Sequence, residues 1–172
     1  MTVVLDTARL RLRTVRVDDA AFYLGLVNEP SFIANIGDRG IRTLEAARDA
    51  VSSGPMLMYA TRGHSLYVVE RKSDGAAIGM CGLIKRDTLA DVDIGYALLP
   101  AYWGQGYAYE AAAAVLAHAR DGLKLRRLVA ITSPGNTASN ALLQKIGLRF
   151  ERIVHLTPDD SGTNLYALEW GA

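Results

Sequence analysis

Residues 93–114 read DIGYALLPAYWGQGYAYEAAAA, and this stretch decides the fold. Its succession of apolar, glycine-rich and alanine-rich parts predicts a strand, a loop and a helix. The loop positions Gly104, Gly106 and Ala108 have little or no side chain, so a ligand can approach the backbone closely. The N–H groups that open a helix have no partner within it, and such a place suits a phosphate.

The order of small residues from Trp103 to Ala108 resembles the Q/R-x-x-G-x-G/A signature of the GNAT acetyltransferases, which bind the pyrophosphate of acetyl-coenzyme A there. Gly106 and Ala108 match this signature, whereas Trp103 replaces its Gln or Arg. The Ile-Gly-Tyr before the loop and the Glu-Ala after it resemble more narrowly the Rim-type branch, the ribosomal-protein alanine N-acetyltransferases and their relatives. The resemblance extends from about Leu10 to Trp170 and so covers nearly the whole chain.

Three other interpretations of the loop are weaker. A P-loop would need Gly-Lys-Ser/Thr at its end, which is missing. A Rossmann fingerprint would need a third small residue where Tyr109 stands, and it predicts a mainly parallel sheet. A plain strand-to-helix turn needs the glycines only for geometry. The extent of the family resemblance favours the GNAT loop.

The composition predicts one domain over residues 1–172, without nucleic-acid or membrane partners. A chain of 172 residues can bury a substantial core without disulfides. Its net charge is +1, and no block of five or six like charges occurs. A single cysteine, Cys81, excludes an internal disulfide and fits a reducing compartment. With no signal peptide and no run of ~18 apolar residues, we expect a cytoplasmic protein.

Hydrophobic periodicity predicts a mixed α/β sheet. Arg9–Arg13 alternates charged and apolar residues and should be the first strand. Two further strands, 65–70 and 77–84, flank Asp74-Gly75, a hairpin signal that opposes a Rossmann fold. Residues 28–40 read as a loop, and the helix that begins after Thr43 should end by Gly54-Pro55.

The second half of the chain predicts the crossover of the sheet. Residues 92–99 form strand four, and the apolar run 127–131 directly after a helix should be a buried strand parallel to it. A helix over 137–146 and an antiparallel pair, 149–156 with 164–170, follow. The result is a sheet of six to seven strands, mostly antiparallel, with about four helices, as the GNAT resemblance implies. In that family parallel strands four and five splay apart, and the pantetheine arm of the cofactor lies between them.

The resemblance also implies which residues bind acetyl-coenzyme A. Unpaired backbone groups at the end of strand four would bond the pantetheine amides, the loop N–H groups would bind the pyrophosphate, and a second signature follows in the helix after residue 135. Two structural alternatives stay open: leucine side chains of strand four can be simple core, and Asn136 can be a helix N-cap. The predicted cofactor-binding residues are Tyr96, Ala97, Leu98, Leu99, Trp103, Gly104, Gln105, Gly106, Tyr107, Ala108, Asn136, Ser139 and Asn140.

Two residues are predicted to carry proton transfer, Ser139 and Asp93. Leu143 stands where many GNAT enzymes place a tyrosine that protonates the departing thiolate, and Ser139 lies one helical turn from it on the same face. Acidic residues on strand four serve as general base in some family members, and Asp93 occupies that strand. Asp91 and Asp93 also continue a period-two alternation, which predicts a solvent-facing pair. The histidines and the cysteine lack metal-ligand spacing, so no metal is predicted.

These observations predict an enzyme, an N-acetyltransferase that passes acetyl directly from acetyl-coenzyme A to a primary amine. The acceptor is a protein N-terminal α-amine or a small-molecule amine, and a homodimer is an open alternative to a monomer. A catalytically silent coenzyme A-binding module or sensor of the same fold is the alternative function, because the usual tyrosine is missing. A Rossmann dehydrogenase is a third.

Overall fold

The computed structural model describes residues 1–171, which fold into one eight-stranded sheet with helices on both faces. The strands are β1 Val3–Asp6, β2 Leu10–Arg13, β3 Leu66–Arg71, β4 Ala77–Ile84, β5 Asp93–Leu98, β6 Arg127–Thr132, β7 Arg149–Val154 and β8 Thr163–Glu169. The helices are α1 Ala20–Val27, α2 Pro30–Asn35, α3 Leu44–Val51, α4 Leu57–Arg62, α5 Tyr107–Ala117 and α6 Thr137–Lys145.

The strand order is β1-β2-β3-β4-β5-β6-β8-β7, and only β5 and β6 are parallel. The predicted mixed sheet, the hairpin β3–β4 and the final antiparallel pair are confirmed. The sheet has one strand more than the highest predicted number, because Val3–Asp6 pairs with β2 along its edge. This segment is short and has no period-two alternation, so only its pairing with β2 makes it a strand.

Two local predictions about helices were wrong. The segment 28–40 contains α2, which begins with Pro30 in its first turn, where a missing N–H is tolerated. The helix after Thr43 does not end at Gly54-Pro55 but continues through a π-turn, Ser52–Met56, into α4. The wider turn accommodates the proline, and the chain ends this helix only at Gly63, whose φ is +77°.

The core is divided between the two faces of the sheet. Ile94 and Leu98 of β5 pack with alanine and valine side chains of α5 on one face. Ala97 and Leu99, which alternate with them, pack on the other face in a cluster that includes Leu26 of α1 and Val51 of α3. Strand β5 is therefore covered on both sides. Within residues 1–171, no helix has the length and apolarity to cross a membrane.

Candidate active site

The parallel strands β5 and β6 stay together at one point only. Asp93 of β5 is paired with Val129 of β6, and the N–H of Val129 donates to the carbonyl of Val92 over 3.1 Å. Beyond this pair the two strands share no further register, whereas β4 and β5 remain paired along six positions. The predicted splay is confirmed, and it opens a gap in the middle of the sheet.

Peptide groups of β5 face this gap. The N–H of Leu99 donates to the carbonyl of Ile78 on β4, whereas the carbonyl of Val92 points to β6. In a strand, the N–H and C=O of one residue point to the same side, and this side alternates from one residue to the next. The N–H and C=O groups of Tyr96 and Leu98 therefore point toward β6, as those of Val92 do. They have no strand partner there. Buried backbone groups of this kind need another partner, which a bound molecule with amides can supply.

The Trp103 side chain is the hydrogen-bond partner of one of these backbone groups. Its indole Nε1 donates to the carbonyl of Leu98 over 3.0 Å, although half of the Trp103 side chain is exposed. A short 3₁₀ turn, Pro100–Tyr102, brings the tryptophan back to the end of β5. Trp103 thus belongs to the wall of the gap, a role that its place in the sequence motif did not indicate.

The loop between β5 and α5 has the backbone conformation that its glycines allow. Gly104 and Gly106 have φ of +73° and +80°, in the left-handed region. Gly106 is the N-cap of α5, and its carbonyl accepts the N–H of Glu110 over 3.1 Å. No side chain caps this end, so the N–H groups of Tyr107 and Ala108 have no partner within the helix.

A network around Glu110 anchors the loop to the segment between β1 and β2. The Glu110 carboxylate accepts from the Thr7 hydroxyl at 2.7 Å, from the Arg9 backbone N–H at 2.8 Å and from Arg9 Nε at 2.7 Å. Arg9 also donates to the carbonyl of Gln105 at 2.8 Å. Burial opposes ionisation of Glu110, but these hydrogen bonds and the Arg9 charge hold its pKa below the ordinary value. Sequence reasoning missed Thr7 and Arg9, because no local signal links them to the loop.

Ser139 of α6 lies next to a tyrosine of β5. Its hydroxyl lies 2.9 Å from the hydroxyl of Tyr96, and its backbone N–H donates to Asn136 Oδ1 over 3.2 Å. Asn136 is therefore the N-cap of α6, as the structural alternative held. Burial raises the pKa of Tyr96 to about 12, against the hydrogen bond with Ser139, so the phenol is neutral at physiological pH.

Asp93 does not face solvent, which corrects the interpretation from alternation. Its side chain is 1% exposed and lies 3.2 Å from Nε of Arg86, whereas Asp91 is partly exposed and pairs with Arg127. Strand β5 is an interior strand, with β4 and β6 on its two edges and helices packed on both faces, so alternation along it leaves no solvent-facing side at this position. Burial raises the pKa of Asp93 to about 6, although the Arg86 charge opposes this.

Comparison with known proteins assigns the chain to a family. The acetyltransferase (GNAT) domain family matches residues 9–149, most of the chain. The chain belongs to the GNAT family. It is accordingly an acyltransferase, and the predicted enzyme class is confirmed.

Relatives of this GNAT domain cover nearly its full length. It is 30% identical to the uncharacterized protein YkkB of Bacillus subtilis, with 87% of each chain covered. Among solved structures, the RimL acetyltransferase of ribosomal protein L7/L12 in complex with coenzyme A superposes with a TM-score of 0.83 at 21% identity, covering 98% of both chains. Mycobacterium smegmatis RimJ, with a coenzyme A disulfide, gives 0.78 at 25% identity, over 93% of this chain and 81% of its own.

Several predicted cofactor-binding side chains of the GNAT domain are engaged elsewhere. Leu98 is buried in the core, and Leu99 packs on the α1 face, so only their backbone can serve the site. Tyr107 is buried, with the Arg9 guanidinium 4.4 Å from its ring centre. The Gln105 side chain turns back toward the carbonyl of Ala101.

The Asn140 side chain of this GNAT domain makes hydrogen bonds within the fold. Its amide nitrogen donates to the carbonyl of Asn136 over 2.8 Å. Its side-chain oxygen accepts from the hydroxyl of Tyr166 at 2.9 Å and from the amide of Asn164 at 3.1 Å. Both ends of the Asn140 amide are therefore occupied by contacts within the chain, which join α6 to β8.

The other candidate reactive groups of the GNAT domain are buried or dispersed. Leu143 of α6, at the position of the family tyrosine, is 1% exposed and packs in the core. Cys81 is fully buried, and burial raises the pKa of its thiol to about 12. Across residues 1–171, no three His, Cys, Asp or Glu side chains lie close enough to hold a metal ion.

Proposed function

We propose that this GNAT domain is an acetyl-coenzyme A-dependent N-acetyltransferase that transfers acetyl directly to a primary amine. The observation that carries the proposal is the gap between β5 and β6, where the peptide groups of Tyr96 and Leu98 have no strand partner. The gap runs from the single pair at Asp93 to the glycine loop that opens α5.

The residues around the gap fit acetyl-coenzyme A. The backbone of residues 96–99 would hold the pantetheine arm, and the N–H groups of residues 104–108 would hold the pyrophosphate. Trp103 shapes the wall between them, and Asn136, whose Nδ2 makes no hydrogen bond among residues 1–171, can add one amide donor. When bound, the cofactor supplies an acetyl group activated as a thioester. RimL, which has this fold, is known in complex with coenzyme A.

The two groups that we propose for proton transfer lie on opposite faces of β5. Asp93 lies on the same side of the strand as Ala97, toward α1 and α3, whereas Tyr96 and Ser139 lie on the side of α5. This separation suits direct transfer, because the amine loses a proton while the sulfur gains one, and the two groups serve these steps separately. We assign Ser139 as the proton donor to the sulfur and Asp93, through water, as the base for the amine.

Backbone N–H groups of β5 would stabilise the oxyanion that forms during transfer. The N–H groups of Tyr96 and Leu98 point into the gap and need no rearrangement to donate. The rest of the rate would come from holding the amine next to the thioester. No acyl-enzyme is needed, since Cys81, the one cysteine of the chain, is fully buried.

The acceptor is proposed to be a protein N-terminal α-amine or a small primary amine. RimL, similar in fold, is named for α-N acetylation of the ribosomal protein L7/L12, which supports the first class. The test is thiol release from acetyl-coenzyme A in the presence of peptides that begin with Ala or Ser, and of polyamines, aminoglycosides and amino acids. Mass spectrometry of the product must show an amide.

Cofactor binding is tested separately. Acetyl-coenzyme A at a hundredfold excess over its dissociation constant should stabilise the fold by about 2.7 kcal/mol, and NAD should not. Equal thermal shifts with both ligands would reject the cofactor. Binding without turnover of any amine would favour the silent module. Ser139→Ala should lower kcat by roughly 10²-fold with little change in KM for acetyl-coenzyme A, whereas a purely capping serine would lower stability alone.

A further inference from the structure

The Tyr96 hydroxyl connects β5 to α6, the helix that follows β6 in the chain. It lies on β5, 2.9 Å from the hydroxyl of Ser139 and 3.3 Å from its carbonyl oxygen, in the first turn of α6. Ser139 is itself held by its N–H bond to Asn136. The hydroxyl pair is therefore held in place by both β5 and α6.

Counting protons leaves two arrangements of this pair, since each hydroxyl carries one proton. In the first, Ser139 donates to Tyr96, and Tyr96 donates to the Ser139 carbonyl, so both protons are used within the chain. In the second, Tyr96 donates to Ser139 Oγ, and the serine proton has no acceptor among residues 1–171. Only the second arrangement offers the serine proton to a molecule in the gap.

No neighbouring side chain replaces Tyr96 in this role. Leu143, one turn further along α6, is apolar and buried. The nearby hydroxyl of Tyr166 donates to Asn140 and has no bond with Ser139. Tyr96 is also neutral at physiological pH, as described above, so it keeps the proton that it must donate.

We infer that Tyr96 is a positioning residue for Ser139, whose hydroxyl it orients toward the departing sulfur of the acyl donor. The inference rests on the proposed function. As the bond between the acetyl carbon and sulfur breaks, the electron pair goes to sulfur, which takes the proton of Ser139 Oγ. The Tyr96 proton passes to Ser139 in turn, and solvent restores the phenol with the proton that the amine releases.

The experiment compares Tyr96→Phe, Ser139→Ala and the double variant with the wild type. Tyr96→Phe should lower kcat by about tenfold or more, with KM for acetyl-coenzyme A within about threefold. Since Tyr96 acts only through Ser139, the double variant should be no slower than Ser139→Ala. The dissociation constant of coenzyme A, measured by calorimetry, should stay within about threefold in all three variants. A merely structural role would raise KM and this constant together.

Tyr166→Phe is the matched control, because it removes a tyrosine hydroxyl that bonds the adjacent residue of α6. Its kcat should stay within about twofold of wild type. Turnover by Tyr96→Phe within about twofold of wild type, or additive losses in the double variant, would overturn the inference while leaving the proposed function intact. Absence of turnover in the wild type would overturn both.

Discussion

Replacing Asp93 with asparagine is expected to stabilise the protein at neutral pH. Burial raises the pKa of this carboxyl from 3.8 to about 6, and the unfolded chain returns it to its ordinary value. At about 1.4 kcal/mol per pH unit, this difference corresponds to about 3 kcal/mol. The native state holds the proton more tightly, so the free energy of unfolding falls as the pH rises from about 4 to about 6. The amide of the Asp93→Asn variant cannot ionise, and the partly exposed Arg86 can be hydrated when its partner is neutral.

The assay is chemical denaturation of wild type and Asp93→Asn at intervals from pH 4 to pH 8. The two curves should agree near pH 4 and diverge to about 3 kcal/mol by pH 7, in favour of the variant. Asp91→Asn is the control, because Asp91 is 37% exposed and its pair with Arg127 should contribute within about 1 kcal/mol. Parallel curves for wild type and Asp93→Asn would refute the reasoning from burial.

The same variant tests the proposed base. If Asp93 accepts the amine proton through water, the kcat/KM of wild type rises as the pH increases through about 6. The Asp93→Asn variant should lose this rise in kcat/KM and most of the rate. If Asp93→Asn is more stable and equally active, the buried carboxyl destabilises the fold and has no role in catalysis.

Three further changes test the site. Gly106→Val should weaken acetyl-coenzyme A binding, because φ of +80° strains a branched residue and its Cβ would lie 3.3 Å from Arg9 Nη2. The control in the calorimetric measurement is Gly135→Val, where an added Cβ would meet no atom within 4 Å. Glu110→Gln should lower the free energy of unfolding by about 1–3 kcal/mol at pH 7. This loss should shrink at lower pH, where the wild-type carboxylate becomes protonated. An equal loss in the control Glu45→Gln, at an exposed position, would contradict the prediction. Cys81→Ala should keep most activity, and a trapped acetyl group on Cys81 would disprove direct transfer.

The sequence by itself determined the local geometry of the site. Gly104 and Gly106 stand where the backbone takes positive φ, and Asp74-Gly75 stands at the β3–β4 turn, because only a few residue types adopt these conformations easily. The apolar run 127–131 after a helix was enough to predict the parallel pairing of β5 and β6. These features depend only on residues that are neighbours along the chain, so the sequence is enough to predict them.

Only the tertiary structure decided which distant side chains meet. Arg9 and Glu110 are 101 residues apart, and Tyr96 and Ser139 are 43 apart, so no local pattern could pair them. Alternation predicted a solvent-facing Asp93, but both faces of β5 are packed and the side chain is buried beside Arg86. Strand β1 and the continuation of the α3 helix past Pro55 likewise depend on a partner strand and on a π-turn. Burial and long-range hydrogen bonds are properties of packing, which brings the hydroxyls of Tyr96 and Ser139 together and buries Asp93 on the other face of β5.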